Sequence, residues 1–418
     1  MTLVSKLIEE GYDIIGFPRL VRLNPNIPWK TRGNGAISIH IGAGMGKRIK
    51  IGEIKSRELF SYSDKKSSNH IDEMDVSSIV EEVVDSQARL DDENTNSGFV
   101  ILKKQPSYNV YMRAVREIVL LDETRKILDK LDAFYKGYKN SRGIIGATAS
   151  IAWNPIKDKT FELITYREKS RWGSKRFVDN DSTIEMDKKI VSTFDNFDYE
   201  NKHNRLVPNS PCPVLFGIRG EKPIDLVKAK SIVRSERIDG WMIFETNQGT
   251  DDHLQKKKIK DIVAYDSVIV RGAIINSPHT IKGGHVIFTI KDETGSIDCA
   301  AYEPTKEFRN IIRQLTEGDV VEVYGGVRKK PLTINLEKIG IKKLVKKFEK
   351  IENPVCPKCG KHMKSKGKNQ GFKCKKCGIS EDKPVLREEK RLLIPGLYEV
   401  PICARRHLSK PLKRFAGR

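Results

Sequence analysis

The chain has 418 residues and carries 77 Lys+Arg against 55 Asp+Glu, a formal charge of +22. Hydrophobic residues make up 38% and charged residues 32%, polar for a globular protein, yet Val, Ile and Leu recur periodically, which excludes disorder of the whole chain and fits three or four domains. No run of about 18 apolar residues marks a membrane-spanning helix and no apolar secretory segment opens the chain; the odd count of seven Cys argues against a disulfide framework and for a reduced, cytoplasmic setting.

In chain order, residues 3–10 form an amphipathic helix stopped by Gly11, followed by a strand over 13–17 and a turn-rich loop from Asn24 to Asn34. Residues 36–42 alternate as a strand. The glycine-rich Gly42-Ala-Gly-Met-Gly-Lys47 lacks the spacing of a phosphate-binding loop and is expected to be a hairpin turn. An acidic helix is predicted over 72–90, one helix over 112–134 and a small-residue helix over 143–153. Strands follow at 161–167, 214–220 and 241–247 with a helix at 223–234, while polar residues 179–211 are expected to be a long loop. This mixture is α/β or α+β, split near residue 140 into two domains.

A basic linker is expected at Lys256–Lys260, after which the pattern changes. Three strands (267–275, 285–292, 296–302), a short helix (304–315) and two more strands (318–326, 332–339) give the order of an OB-fold barrel, which binds oligonucleotides. A five-stranded barrel without a nucleic-acid role is the alternative, disfavoured by the surrounding Lys and Arg.

Charge concentrates at the end of the chain. Residues 341–418 hold 23 Lys+Arg and 7 Asp+Glu, whereas residues 72–93 hold nine acids and a single base. A basic tail of this kind is the footprint of a nucleic-acid binder. It encloses Cys356-Pro-Lys-Cys359 and Cys374-Lys-Lys-Cys377, two knuckles whose four thiolates can close a tetrahedron on structural Zn2+. Cys212, Cys299 and Cys403 lack a partner motif.

Candidate binding residues fall in three places. Asn24, Lys30, Arg32 and Asn34 can surround an anion or a base from a Pro/Gly loop, although an ordinary surface loop has the same composition. Asp195 and Asp198 place two acids three apart, able to hold a metal or a guanidinium, and a solvated loop is the alternative. Arg405, Arg406, His407 and Lys410 suit phosphate contacts.

Four segments resemble the archaeal isoleucine-tRNA 2-agmatinylcytidine (agmatidine) synthetases. They are Ile15 to Ala36 (IGFPRLVRLNPNIPWKTRGNGA), Pro213 to Glu221 (PVLFGIRGE), Thr246 to Asp251 (TNQGTD) with His253 and Leu254, and Arg405 to Leu412 (RRHLSKPL). The resemblance runs over nearly the whole chain. It implies an α+β multidomain fold: a kinase-like catalytic domain over 1–140, a ferredoxin-like domain over 141–255, an OB-fold over 262–345, and a zinc ribbon with basic tail over 350–418. It also implies an ATP-dependent ligase, using ATP and Mg2+, that joins agmatine to C2 of the wobble cytidine of isoleucine tRNA with a CAU anticodon, so that AUA is decoded. Asn24, Lys30, Arg32 and Asn34 would then bind nucleotide or substrate, Asp195 and Asp198 agmatine, and Arg405, Arg406, His407 and Lys410 the tRNA; no membrane and no obligate protein partner is expected. The family's opening Gly-Ile-Asp-Asp-Thr-Asp-Ser motif is absent from this chain, so the catalytic acids are unassigned. The expectation is an N-terminally truncated first domain that folds poorly and has little activity. A non-catalytic tRNA or single-strand binder built on the OB-fold and ribbon is the competing reading; it would not need the first 250 residues.

Overall fold

The computed structural model describes residues 1–29, 34–66, 71–93, 95–156, 158–367 and 370–415. Its organising element is the strand Ile238–Thr246 (IDGWMIFET), whose last seven residues are all buried. A strand that apolar must be covered on both faces and both edges. On one edge it pairs antiparallel with Thr160–Arg167, and beyond that come Val214–Gly220 and Thr193–Phe194. Its other edge is shared. The N-terminal half takes the strand Gly44–Ile54, through Gly240↔Ile54 to Met242↔Gly52, and the C-terminal end pairs parallel with Arg19–Arg22. The kinase-like and ferredoxin-like units therefore contribute to one eight-stranded sheet.

Two apolar clusters lie in the kinase-like unit. Val4 and Leu7 of the first helix, Thr2–Glu9, bury against Ile14, Leu20, Ile51, Leu59, Met242 and Phe244. Tyr111, Val115, Ala149 and Trp153 form the second cluster with Val21 and Leu23. Leu163, Phe216, Ile218, Leu226 and Ile243 fill the ferredoxin-like core.

Several local expectations are corrected. Gly44 and Gly46 do not make a turn; they lie in the strand Gly44–Ile54, which pairs with Arg57–Lys65. The turn falls instead at Lys55 and Ser56, both at positive φ. Tyr62 packs directly over Gly44, where a Cβ would come within 2.2 Å of its ring. The single helix expected over 112–134 is two, Tyr108–Arg116 and Leu121–Lys130. The polar stretch after 179 begins with a helix, Asn180–Lys189, capped by the Asp179 carboxylate accepting from the Ser182 N–H at 2.9 Å. Lys256–Lys260 is no free linker: Gln255–Lys256 pairs with the barrel, Ile259 is buried and Lys257 binds Asp266 at 2.7 Å.

The OB-fold closes as five strands, Ser267–Thr280, Val286–Lys291, Ser296–Ala301, Val320–Arg328 and Thr333–Lys343, with the first pairing the fourth. Phe308 and Ile312 of the helix Phe308–Arg313 pack into its core. A two-stranded stalk, Lys347–Glu352 with Val385–Glu389, leads to the ribbon. At its base the buried Asp319 carboxylate accepts from both arms of the Arg391 guanidinium, at 2.5 and 2.7 Å. The chain then returns to the barrel, where Gly396–Glu399 adds a strand, and residues 401–415 cross back over the body.

Candidate functional site at the domain junction

The segments that begin at Leu23 and at Asn247 leave the carboxyl ends of the two parallel strands, the position where α/β sheets place their ligands. The second loop joins every neighbour. The Asn247 carboxamide imitates a strand: its Oδ1 accepts from the Arg22 N–H at 2.7 Å and its Nδ2 donates to the Arg22 carbonyl at 2.8 Å. The same Nδ2 reaches the Tyr111 hydroxyl, which donates to Asp252 at 2.7 Å. Asp251, at φ +63, accepts from the fully buried Lys338 of the barrel at 2.7 and 2.9 Å and from the Lys410 N–H at 2.7 Å. His253 Nε2 meets Glu337 at 3.0 Å, both buried. Burial pushes the Glu337 carboxyl up, but His253, Arg406 and Lys338 outweigh it and hold it at about 2. Gly249 at φ +67 lets the loop turn so that its N–H reaches the His407 carbonyl at 2.8 Å.

Beside this joint lies a charged cluster. Glu162 accepts from Arg219 Nε at 3.2 Å and from the Gln248 amide, and Arg219 reaches His407 Nδ1 at 2.9 Å. Burial lowers the proton affinity of Arg22, which also feels Glu162 and Arg219, and its Nε has no hydrogen-bond partner among the described residues. Arg22 lies close enough to the Arg219–Glu162 pair to feel both charges, two guanidiniums to one carboxylate, which leaves positive charge for an anion such as a phosphoryl group.

Two cavities flank the junction. The first, about 620 Å³, is walled by Val80, Val83, Ile145 and Phe99 and edged by Trp29, Asn34 and Arg142. The Arg142 guanidinium sits 4.5 Å from the Trp29 ring centre. At its floor the helix Gly143–Ala152 starts against Gly98, so closely that a Cβ on Gly143 would lie 2.4 Å from the Gly98 nitrogen. The second cavity, about 500 Å³, lies between the ferredoxin-like unit and the barrel. Asp187, Asp195, Asp198, Glu200, Glu307 and Glu399 line it against two cations, Arg405 and Lys413, with Phe197, Tyr199 and Tyr398 among its aromatic walls. Burial raises the Glu399 carboxyl. Burial also acts on Asp198, but hydrogen bonds from Asn201 and the Cys403 N–H bring it down.

The predicted residues distribute as follows. Asn24 is buried, and its amide donates to the carbonyls of Glu117 at 3.2 Å and Tyr265 at 3.3 Å; it ties the kinase-like unit to the barrel instead of facing a ligand. Asn34 borders the first cavity and donates to the Asn24 carbonyl at 3.1 Å. Lys30 and Arg32 lie outside the described residues. Asp195 and Asp198 stand in a buried segment, not a solvated loop, with Phe194, Asn196 and Phe197. The tail cations face inward. Arg405 pairs with Asp195 and, at 2.5 Å, with Glu399; Arg406 binds Asn26 and, at 3.5 Å, Glu337. Lys410 meets Asp158 at 2.7 Å, beside Arg414 at 2.9 Å. Only His407 of the set is exposed. Composition and spacing do not mark Arg22, Arg219 and Gln248, although each lies in a segment that carries the resemblance, and Glu162 and Tyr111 have no local signal.

The four cysteines meet the geometric demands of zinc. Their sulfurs lie within 4.8 Å of one another, and Cys359 and Cys374 Sγ are 3.6 Å apart, near the edge of a ZnS4 tetrahedron. The knuckles are copies: the N–H groups of Gly360 and Gly378, at φ +67 and +72, donate to the carbonyls of Cys356 and Cys374 at 2.9 Å. With every ligand position supplied by sulfur, the metal's role is structural.

A kinase-like body, a ferredoxin-like sheet sharing its strands, an OB barrel and a zinc ribbon, held at one polar joint, define a multidomain nucleic-acid-acting protein. Family models match in the same order: the TiaS TCKD domain over 1–140, the TiaS FLD domain over 141–253, an OB-fold nucleic acid binding domain over 257–341 and the TiaS C-terminal zinc ribbon domain over 353–393. The isoleucine-tRNA 2-agmatinylcytidine synthetase TiaS of Methanocaldococcus jannaschii is 45% identical, over 98% of this chain and 94% of that protein. A crystal structure of TiaS in complex with isoleucine tRNA and ATP superposes with TM-score 0.83 at 40% identity, covering 99% of this chain and 92% of the other. A complex of TiaS with isoleucine tRNA, AMPCPP and agmatine does so with TM-score 0.79 at 38% identity, with the same coverage. The chain belongs to the isoleucine-tRNA 2-agmatinylcytidine synthetase family.

Proposed function

We propose that this protein is the ATP-dependent ligase that attaches agmatine to C2 of the wobble cytidine of the isoleucine tRNA with a CAU anticodon, working in the cytoplasm with none of its seven cysteines in a disulfide. The observation that carries this reading is the meeting of the four family segments at one joint, around a guanidinium pair with charge to spare for a phosphoryl group. The C2 oxygen of cytosine leaves poorly, so it is first phosphorylated at the expense of ATP: of the two phosphoanhydride bonds broken, one passes its phosphoryl group to that oxygen and the other is cleaved by water, leaving AMP and inorganic phosphate. The agmatine amine then attacks C2, the C2–O bond breaks, phosphate departs and the new nitrogen gives up a proton. The cytosine must leave its stack to be reached.

The first cavity fits a nucleotide: apolar walls for a base, with Asn34 and Arg142 at the rim and the Lys30 and Arg32 segment next to it in sequence. Asn24 fixes the root of that loop. Arg22 and Arg219 hold the transferring phosphoryl group, and Mg2+ would neutralise the remaining phosphate charge when bound. Agmatine is a dication, and the acidic, aromatic second cavity suits it, with Asp198 and Glu399 as ligands and Asp195 holding Arg405 alongside. The exposed ribbon lysines and His407 meet the tRNA; Arg405, Arg406 and Lys410 act by keeping the tail in place.

Incorporation of labelled agmatine into an isoleucine tRNA transcript with a CAU anticodon tests this. Expected are incorporation that needs ATP, its loss when the wobble cytidine is replaced, and a fall in kcat of about 100-fold for Arg219→Ala. No ATP-dependent incorporation by the zinc-loaded protein would overturn it.

A further inference from the structure

The ferredoxin-like unit carries a basic and aromatic surface far from the junction. Residues 168–177 (EKSRWGSKRF) hold four cations and one acid. Trp172 is 45% and Phe177 58% exposed, at odds with how such rings are usually buried. Arg234 and Arg237 flank them: the Asp179 N–H donates to the Arg234 carbonyl, and the Glu236 N–H to that of Phe177. Three ion pairs lie on this surface, Arg237 with Glu168 at 3.2 Å, Arg234 with Asp179 at 2.5 Å and Arg171 with Glu236 at 3.9 Å, leaving Lys169 and Lys175 without a carboxylate partner among the described residues.

Two buried or half-buried arginines fix the loop's shape. Arg167, its side chain 1% exposed, grips Glu236 with Nε and Nη2 and donates to the carbonyls of Ser174 at 2.8 Å and Lys175 at 3.2 Å. Arg176 turns inward and donates to four carbonyls, those of Val214, Pro208, Ser210 and Cys212. The Trp172 indole N–H donates to the Arg167 carbonyl at 3.3 Å, which fixes the ring while leaving it open to solvent. A loop needed only as a connection has no use for so many directed donors. A fixed indole beside the unpaired Lys169 and Lys175 is the chemistry that receives nucleic acid, whereas lysine is depleted from protein–protein interfaces.

We propose that this surface is a second RNA-contact site that grips the tRNA outside its anticodon loop; the proposal rests on tRNA being the substrate. Position supports it. Thr160 pairs Thr246 at the junction, while Arg167 pairs Ile238 at the far end of the same two strands, about 23 Å away at roughly 3.3 Å per residue. A nucleotide reacting at the junction would leave other parts of the same tRNA to lie over this end of the sheet.

The test uses the full zinc-loaded chain, a Lys169→Gln/Arg171→Gln/Lys175→Gln variant, Trp172→Ala, and the isoleucine tRNA transcript as probe. The charge variant is expected to melt like the parent, bind tRNA about tenfold more weakly at moderate salt, and show a slope of log K on log salt lower by about two, with kcat at saturating tRNA unchanged. Trp172→Ala should weaken binding several-fold, and hydroxyl-radical footprints should lose protection outside the anticodon loop. An unchanged affinity and slope, or a loss of protection confined to the anticodon loop, would overturn the proposal; the first result would assign the surface to a protein partner. Should the parent chain itself fail to bind the tRNA, the functional reading would fall, and not this placement alone.

Discussion

The C-terminal tail and the zinc ribbon are both basic in sequence, yet their cations have opposite fates. In the tail, the side chains of Arg405, Lys410 and Arg414 are only 7%, 9% and 6% exposed and meet Asp195, Glu399, Asp158 and Glu221. In the ribbon, Lys358, Lys361, Lys364, Lys373, Lys375 and Lys376 are exposed around a small core of Met363, Phe372 and the cysteines. Net charge counts both alike. Burial decides which cations remain for phosphate: a buried pair is held by its partner, while an exposed lysine keeps its counterions until a polyanion displaces them.

Metal removal should separate the two regions most strongly. A structural Zn2+ contributes about 10–16 kcal/mol to folding a small cysteine domain, so chelation, or Cys374→Ala, is expected to unfold the ribbon while the tail stays packed. Release of one zinc per chain, with ribbon amides alone losing hydrogen-exchange protection, is the readout. Next is Arg405→Ala. It leaves Asp195 and Glu399 facing each other in a half-closed cavity, and breaking such a pair costs about 3–5 kcal/mol; thermal unfolding should shift sharply down while the salt slope of tRNA binding holds. A reduced slope with unchanged melting would mean that Arg405 touches phosphate after all.

Acid should then act on the joint. Glu337 is held at about 2, below its unfolded value near 4.5, so its contribution is complete above pH 4.5 and disappears as pH falls toward 2. Glu337→Gln is expected to flatten that part of an acid-unfolding curve monitored by circular dichroism. The smallest effect belongs to the ribbon surface. Replacing Lys373, Lys375 and Lys376 by Gln should lower the salt slope by about 0.9 for each phosphate left without its lysine, with melting unchanged.

How much of this could be read beforehand depends on how local each signal was. The zinc knuckles and the OB strands were legible because spacing and alternation lie within a few residues. The helix Asn180–Lys189 was not, since it buries only Ser182, Thr183 and Met186 and shows no apolar stripe. The hairpin Gly44–Lys65 was hidden by glycines that normally signal a turn; here Gly44 makes room for the Tyr62 ring. The break between Arg116 and Leu121 carries neither Gly nor Pro. At the site, the segments were recognisable but not their partners: Arg405 meets an acid 210 residues earlier, and Lys338, in an ordinary strand sequence, is fully buried against Asp251.

The segment Asn247 to His253 binds the kinase-like unit through Arg22 and Tyr111, the barrel through Glu337 and Lys338, and the tail through Leu408 and Lys410. A hinge cannot pass through a short segment that three neighbours hold at once. The four domains of this chain should therefore behave in calorimetry as two cooperative units, a body that melts in a single transition and a ribbon that melts by itself. The freedom to embrace a large substrate then belongs to the stalk Lys347–Glu352 and Val385–Glu389, two strands that pair with each other and bury no core of their own.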